Sequence, residues 1–272
     1  MKTYNQKNIK NSLIEIGLKT GDIVFVNPEI YRLGNFYNTE GNRNVYEEFF
    51  YIIRKIIGES GTICANSYTF DTLRFKKKFI YESTKCTSGN FSTLLLSQNK
   101  SIRSNHPVFS VVSVGKEAKI ICNNNSLHNY GFNSPYDKFI RLGGKFLNLG
   151  MDPWQNPCNH IAEHMIGVPY YYNKFTIVPY YKKNIKKKFN FSSFVRYLDF
   201  NLVWNFNNIK KKLSTSKIVK STNLGSGEIH YFSSKKYLEL CLELLTKNQF
   251  GLIRKELYLK NINKKKGRKS EN

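Results

Sequence analysis

At 272 residues, with 40% hydrophobic and 15% aromatic side chains, the chain is too apolar for disorder, so its charge must decorate a folded core of one large domain or two small ones. No apolar run approaches the roughly 18 residues of a membrane span, and the opening Met-Lys-Thr-Tyr-Asn-Gln-Lys lacks the apolar stretch of a signal peptide, which predicts a soluble cytoplasmic protein. The net charge of +24, from 43 Lys and Arg against 19 Asp and Glu, creates a field that attracts anions and disfavours polycations.

Ile9, Leu13, Ile16 and Leu18 fall at helical spacing and stop before Gly21, after which residues 23–26 read as a buried strand. Residues 45–57 are helical in period, 62–65 form a short strand, 91–96 a helix and 108–114 a strand. Ser134 followed by Pro135 is the expected N-cap and first position of a helix. Residues 146–149, with glycines at both ends of the run, read as a buried strand feeding a loop, and a helix carrying His160 and Glu163 follows. Strands alternating with helices predict an α/β fold, a layered mixed sheet flanked by helices. From Tyr180 the composition turns to Lys, Asn and aromatics, with Phe194, Leu198, Leu202 and Phe206 at helical spacing. The expected organisation is a core over 1–180, an inserted cap over 181–220 and a return to the core over 221–260. A last helix over 233–247 is capped by its entry serines, and a basic tail over 261–272 is expected to be disordered.

Two stretches carry the chemistry: Arg103-Ser104-Asn105-His106-Pro107-Val108-Phe109-Ser110 and Asn156-Pro157-Cys158-Asn159-His160-Ile161-Ala162-Glu163. On a helix, His160 and Glu163 at i and i+3 share a face. A carboxylate on one ring nitrogen fixes the tautomer and raises the basicity of the other, the arrangement of a general base. His160 comes ten residues after Gly150, and ligands of open α/β sheets bind beyond the carboxyl ends of the strands. The five cysteines are scattered, odd in number and without a C-x-x-C pair, which predicts neither a disulfide framework nor a metal site. Cys158 precedes His160 by two residues, a spacing that points the two side chains apart and argues against a Cys-His nucleophile.

In chain order, Arg32-Leu33-Gly34, Gly61-Thr62-Ile63, residues 103–110, Gly131-Phe132-Asn133-Ser134-Pro135, residues 144–150 and residues 156–163 resemble the ordered motifs of the aminoglycoside 3-N-acetyltransferase family. The likeness runs over about 9–180 and resumes at Leu224-Gly225-Ser226-Gly227-Glu228. It implies an acetyl-CoA-dependent N-acetyltransferase acting on an amine of an amino sugar, with no metal. His160 would be the base and Glu163 its partner, while His106, Ser110, Ser134 and Asn27 would belong to the acyl-donor site. Asn27-Pro28-Glu29 stands where the family has His-Ser-Ser, the proline removing a backbone donor, and Pro157 replaces the family's threonine.

Charge sorts the acceptors. A polycationic aminoglycoside needs local carboxylates on so basic a protein, so a nucleotide-linked, anionic sugar of surface-polysaccharide synthesis is the expected acceptor ahead of a drug. Two alternatives remain: a family member that has lost the reaction, and a single-strand nucleic-acid binder. The second is suggested by the lysine runs at 76–78, 182–188, 210–212 and 264–269, interleaved with Tyr180, Tyr181, Phe189, Phe191, Tyr197 and Trp204. Nothing in the chain matches a known binding module, and no nucleic acid is expected as partner.

Overall fold

The computed structural model describes residues 2–39, 41–75, 77–200 and 202–268. The chain opens with β1 (Thr3–Tyr4) and α1 (Gln6–Glu15), whose N-cap Asn5 exchanges hydrogen bonds with Asn8. The first sheet strand β2 (Ile23–Pro28) leads to β3 (Asn35–Phe36) and α2 (Val45–Ile57), which Asn44 and Glu47 cap in the same reciprocal way. Then come β4 (Thr62–Asn66), α3 (Phe70–Arg74), β5 (Phe79–Ile80), α4 (Asn90–Ser97), β6 (Ile102–Arg103), β7 (Val111–Gly115) and α5 (Ala118–Cys122). Ser134 accepts a hydrogen bond from Asp137 N and starts α6 (Pro135–Arg141), which runs into β8 (Lys145–Leu149) and α7 (Cys158–Ile166). A long hairpin of β9 (Tyr171–Lys182) and β10 (Ile185–Arg196) is followed by α8 (Asn207–Ser216), β11 (Val219–Leu224), β12 (Gly227–Ser233), α9 (Ser234–Lys247) and α10 (Lys255–Arg268).

Seven strands form one mixed sheet in the order β11-β12-β8-β2-β4-β7-β6, and the fold is an α/β layered sheet flanked by helices. β8, β2 and β4 are parallel neighbours at its centre, while β12 and β7 join them antiparallel. Side chains alternate between two cores. Val24, Val26, Ile63, Ala65, Leu147 and Leu149 pack on the side of α1, α2 and α4. Phe25, Cys64 and Phe146 pack on the side of α6, α7 and α9. At the carboxyl ends of the three parallel strands this second face turns polar, each apolar side chain followed two residues later by Asn27, Asn66 or Asn148. That step from core to amide opens the cleft.

Four expectations change. The strand at 108–114 begins at Val111, because His106 Nδ1 accepts the backbone N–H of Val108 and Phe109 and folds them into a loop. Phe194, Leu198, Leu202 and Phe206 do not share a helix: Phe194 lies in β10, and Leu198 lies in a 3-10 turn. The competing period of two wins there, since Phe189 and Phe191 line one face of the hairpin and bury against Val178, Tyr180 and Phe79. The hairpin starts at Tyr171, ahead of the boundary expected at 181, and β11 re-enters the main sheet at Val219. Finally, the tail expected to be disordered from 261 continues α10 to Arg268, and its last four residues, 269–272, lie outside the described ones. Among the described residues no helix is long and apolar enough to cross a membrane.

Candidate active site

α7 stands at the carboxyl end of β8, and its first turn faces the cleft. Asn156 holds the approach by accepting from Cys158 N (2.9 Å), and Asn159, anchored by Tyr237 OH (3.0 Å), fixes the helix on α9. One turn on, His160 Nδ1 lies 2.8 Å from Glu163 Oε2. Glu163 is fully buried, and its other oxygen accepts a hydrogen bond from Tyr170 OH at 2.9 Å. The Tyr171 hydroxyl lies 3.3 Å from His160 Nδ1. Burial first, and then the Glu163 charge, push both phenols up, so both stay protonated, and Tyr170 is a donor to the carboxylate. A carboxylate can only accept, which places the ring proton on Nδ1. No described residue hydrogen-bonds Nε2, and the half-buried ring is framed by Tyr130, Tyr171 and Trp204, each with centroids 5.7 Å away.

Two cavities meet at this imidazole. One, of about 410 Å³, is lined by amides, Asn27, Asn66, Gln155, Asn156 and Asn159, with Tyr68, Met151 and Glu29. Asn27 donates to Asn148 Oδ1 (2.9 Å), and Asn66 accepts from Tyr136 OH (2.6 Å). Glu29 pairs with Arg32 at 3.0 Å, which also reaches Asp152 at 3.3 Å. The 29–32 turn can lie this close because residue 150 is glycine: its φ is +75° and a Cβ there would come within 2.5 Å of Glu29 O. The other cavity, of about 590 Å³, lies between α3 and the hairpin and is lined by Arg74, Tyr171, Tyr172, Lys174, Phe194, Arg196 and Trp204 among others.

Of the sequence-derived site residues, the structure brings His160, Glu163 and Asn27 to this cleft. The other three lie behind it. His106 is buried, with Nδ1 accepting from Phe109 N (3.0 Å) and Nε2 donating to Ser192 O (3.2 Å), and burial lowers its ionisation to about 4, so the ring is neutral. Ser110 bonds Ser67 O and accepts from Arg103 Nε (3.0 Å). Ser134 caps α6. Each is committed to holding a loop, and His106 in particular presents Phe109 to both cavities. Cys158 is buried with Sγ against Ser234 O, and burial raises its thiol well above the usual range. Among the described residues no cluster of three or more His, Cys, Asp or Glu is gathered as for a metal. Sequence reasoning missed Tyr170, Tyr171, Asn66, Asn148 and Trp204. Only the asparagines carried a local signal, each standing at or next to a strand's end, two residues beyond a core side chain.

The sequence pattern of the aminoglycoside 3-N-acetyltransferase family matches residues 39–246. The chain belongs to that family. Aminoglycoside N(3)-acetyltransferase III of Salmonella sp and of Acinetobacter baumannii are each 27% identical to it over 184 residues, 61% of this chain. The match spans 62% of the length of these curated relatives. Among solved structures, the aminoglycoside acetyltransferase AAC(3)-Xa superposes with a TM-score of 0.75 at 15% identity, covering 89% of this chain and 93% of that one. AAC-IIIb in its binary complex with CoASH gives 0.74 at 19% identity, covering 90% and 97%. The chain thus keeps the acetyltransferase-family fold with its own residues in the cleft.

Proposed function

We propose that this protein transfers the acetyl group of acetyl-CoA to an amine of an amino sugar, in the cytoplasm, with His160 as general base and Glu163 as its partner. The observation that carries the reading is a histidine held by a buried carboxylate at 2.8 Å on Nδ1 while Nε2 opens where two cavities meet. Membership of the family and the fold shared with an enzyme solved with CoASH support it.

The amide-lined cavity suits the donor. Asn27, Asn66 and Gln155 offer donors and acceptors matched to the two amides of a pantetheine arm, and Glu29, the one carboxylate among the lining residues, is neutralised by Arg32. When bound, the thioester supplies an activated acetyl carbon. An ammonium has no lone pair to attack it, so the acceptor reacts as the free amine. With the ammonium proton gone to solvent, the free amine bonds the acetyl carbon, His160 Nε2 accepts the proton its nitrogen then sheds, and the C–S bond breaks as the imidazolium protonates the departing sulfur. Glu163 stabilises the imidazolium formed in between, and Tyr170 holds Glu163 in place. Tyr130, Tyr171 and Trp204 around the ring exclude water that would compete for the base.

The nucleic-acid reading gains nothing from the hairpin. Tyr180 and Phe191 are buried against Phe79 and are not available to stack on bases. The test of the transferase reading is release of free CoA thiol from acetyl-CoA in the presence of an amino-sugar panel. His160→Ala is expected to lose ~10²–10⁴ in kcat with an unchanged thermal midpoint. A variant with wild-type turnover would place the base elsewhere.

A further inference from the structure

The cavity between α3 and the hairpin has a charge pattern opposite to the one a polycationic acceptor requires. Its charged lining among the described residues is Arg74, Lys174 and Arg196, with no Asp or Glu in that lining. None of the three forms an ion pair with a described residue, whereas Arg32, Arg43, Arg141 and Lys145 all do. Glu163, behind His160, is fully buried and already engaged by His160 and Tyr170. The neighbouring cavity has no such cations, its one charged lining residue, Glu29, being paired with Arg32. These three cations, none ion-paired among the described residues, share one concave wall that also carries the approach to His160.

The aromatic lining is equally specific. Tyr171 stacks on Phe194 with centroids 4.8 Å apart, and Tyr172 on Tyr197 at 4.7 Å, so the wall that carries Lys174 and Arg196 also offers flat apolar faces. Arg74 lies over the Phe70 ring at 5.9 Å from its centroid. Flat rings receive the apolar face of a pyranose or a base, and guanidinium groups receive phosphate or carboxylate oxygens. Building on the transferase reading, we propose that the acceptor is an amino sugar that also bears an anionic group, a phosphate ester or nucleoside diphosphate. Arg74, Lys174 and Arg196 hold that charge while the amine reaches His160 Nε2.

The phosphates of CoA present the same chemistry, and the experiment separates the two sources. The full chain is assayed with acetyl-CoA and three acceptors that share an amino sugar but differ in charge: glucosamine, glucosamine 1-phosphate and kanamycin. Glucosamine 1-phosphate is expected to exceed glucosamine in kcat/KM by about tenfold or more at low salt, less at 0.15 M, with kanamycin poorest. In the triple variant Arg74→Gln, Lys174→Gln, Arg196→Gln, checked for an unchanged melting midpoint, that advantage disappears through the acceptor KM. The proposal is overturned, with the transferase reading intact, if kanamycin is the best acceptor. The same holds if the triple variant raises the KM for acetyl-CoA and leaves the phosphate preference standing. Failure of all three acceptors to release thiol overturns both readings together.

Discussion

Glu163→Gln removes one charge and keeps the shape. Gln fills the same buried volume, and its carbonyl can accept from Tyr170 OH as the carboxylate does at 2.9 Å. Its NH₂ then faces His160 Nδ1, where the carboxylate oxygen lies at 2.8 Å. An amide donor there selects the tautomer protonated on Nε2, the nitrogen that must take the proton. It also strips the imidazolium of its counter-charge. At an effective dielectric of about 20, unit charges about 4 Å apart attract by ~4 kcal/mol, or about three decades in rate at 1.36 kcal/mol per decade. The amide dipole restores part of this, so kcat is expected to fall ~10²–10³ with little change in the KM for acetyl-CoA. Thiol release followed from pH 5 to 9 is the assay, with circular dichroism confirming the fold. A loss confined to KM, or a turnover within about twofold of wild type, would refute the assignment of Glu163 as partner of the base.

Two further outcomes follow from the residues behind and beside the cleft. Burial holds His106 neutral down to about pH 4, whereas the unfolded chain protonates near 6.5, so stability present above about pH 6.5 drains away as pH falls toward 4. Urea midpoints should show this loss, up to about 3 kcal/mol, shrinking in His106→Asn; identical pH dependence in the two proteins would exclude it. Glu29→Ser removes the one carboxylate lining the donor cavity and leaves Arg32 paired with Asp152 alone; it is expected to lower the KM for acetyl-CoA by about two- to fivefold, as for a partly screened pair. A KM indifferent to the substitution and to ionic strength would show that this turn does not meet the donor.

How much of this was legible depended on range. The i, i+3 spacing of His160 and Glu163, the Ser134 cap and the apolar runs of β2, β4 and β8 are local, and the structure has each of them. Burial is not local. Nothing in the order of His106, Ser110 and Ser134 says that each spends its polar atoms on a loop rather than on the cleft. In the hairpin, a four-residue apolar spacing fits a strand as well as a helix, and only the pairing of β10 with β9 decides between them. Tyr170 reaches Glu163, and Tyr171 and Trp204 reach His160, from segments whose approach depends on the whole fold.

The division of the core by the sheet has a practical consequence. The cleft lies with α7 on one side, while α1, α2 and α4 close the other and contribute no side chain to either cavity at His160. Substitutions on that far side reach turnover only through the fraction of molecules that are folded, and so alter abundance in a cell before they alter rate. It is therefore the side on which to attach a label or tether the protein to a surface, and the side whose sequence is free to drift as long as its packing is kept.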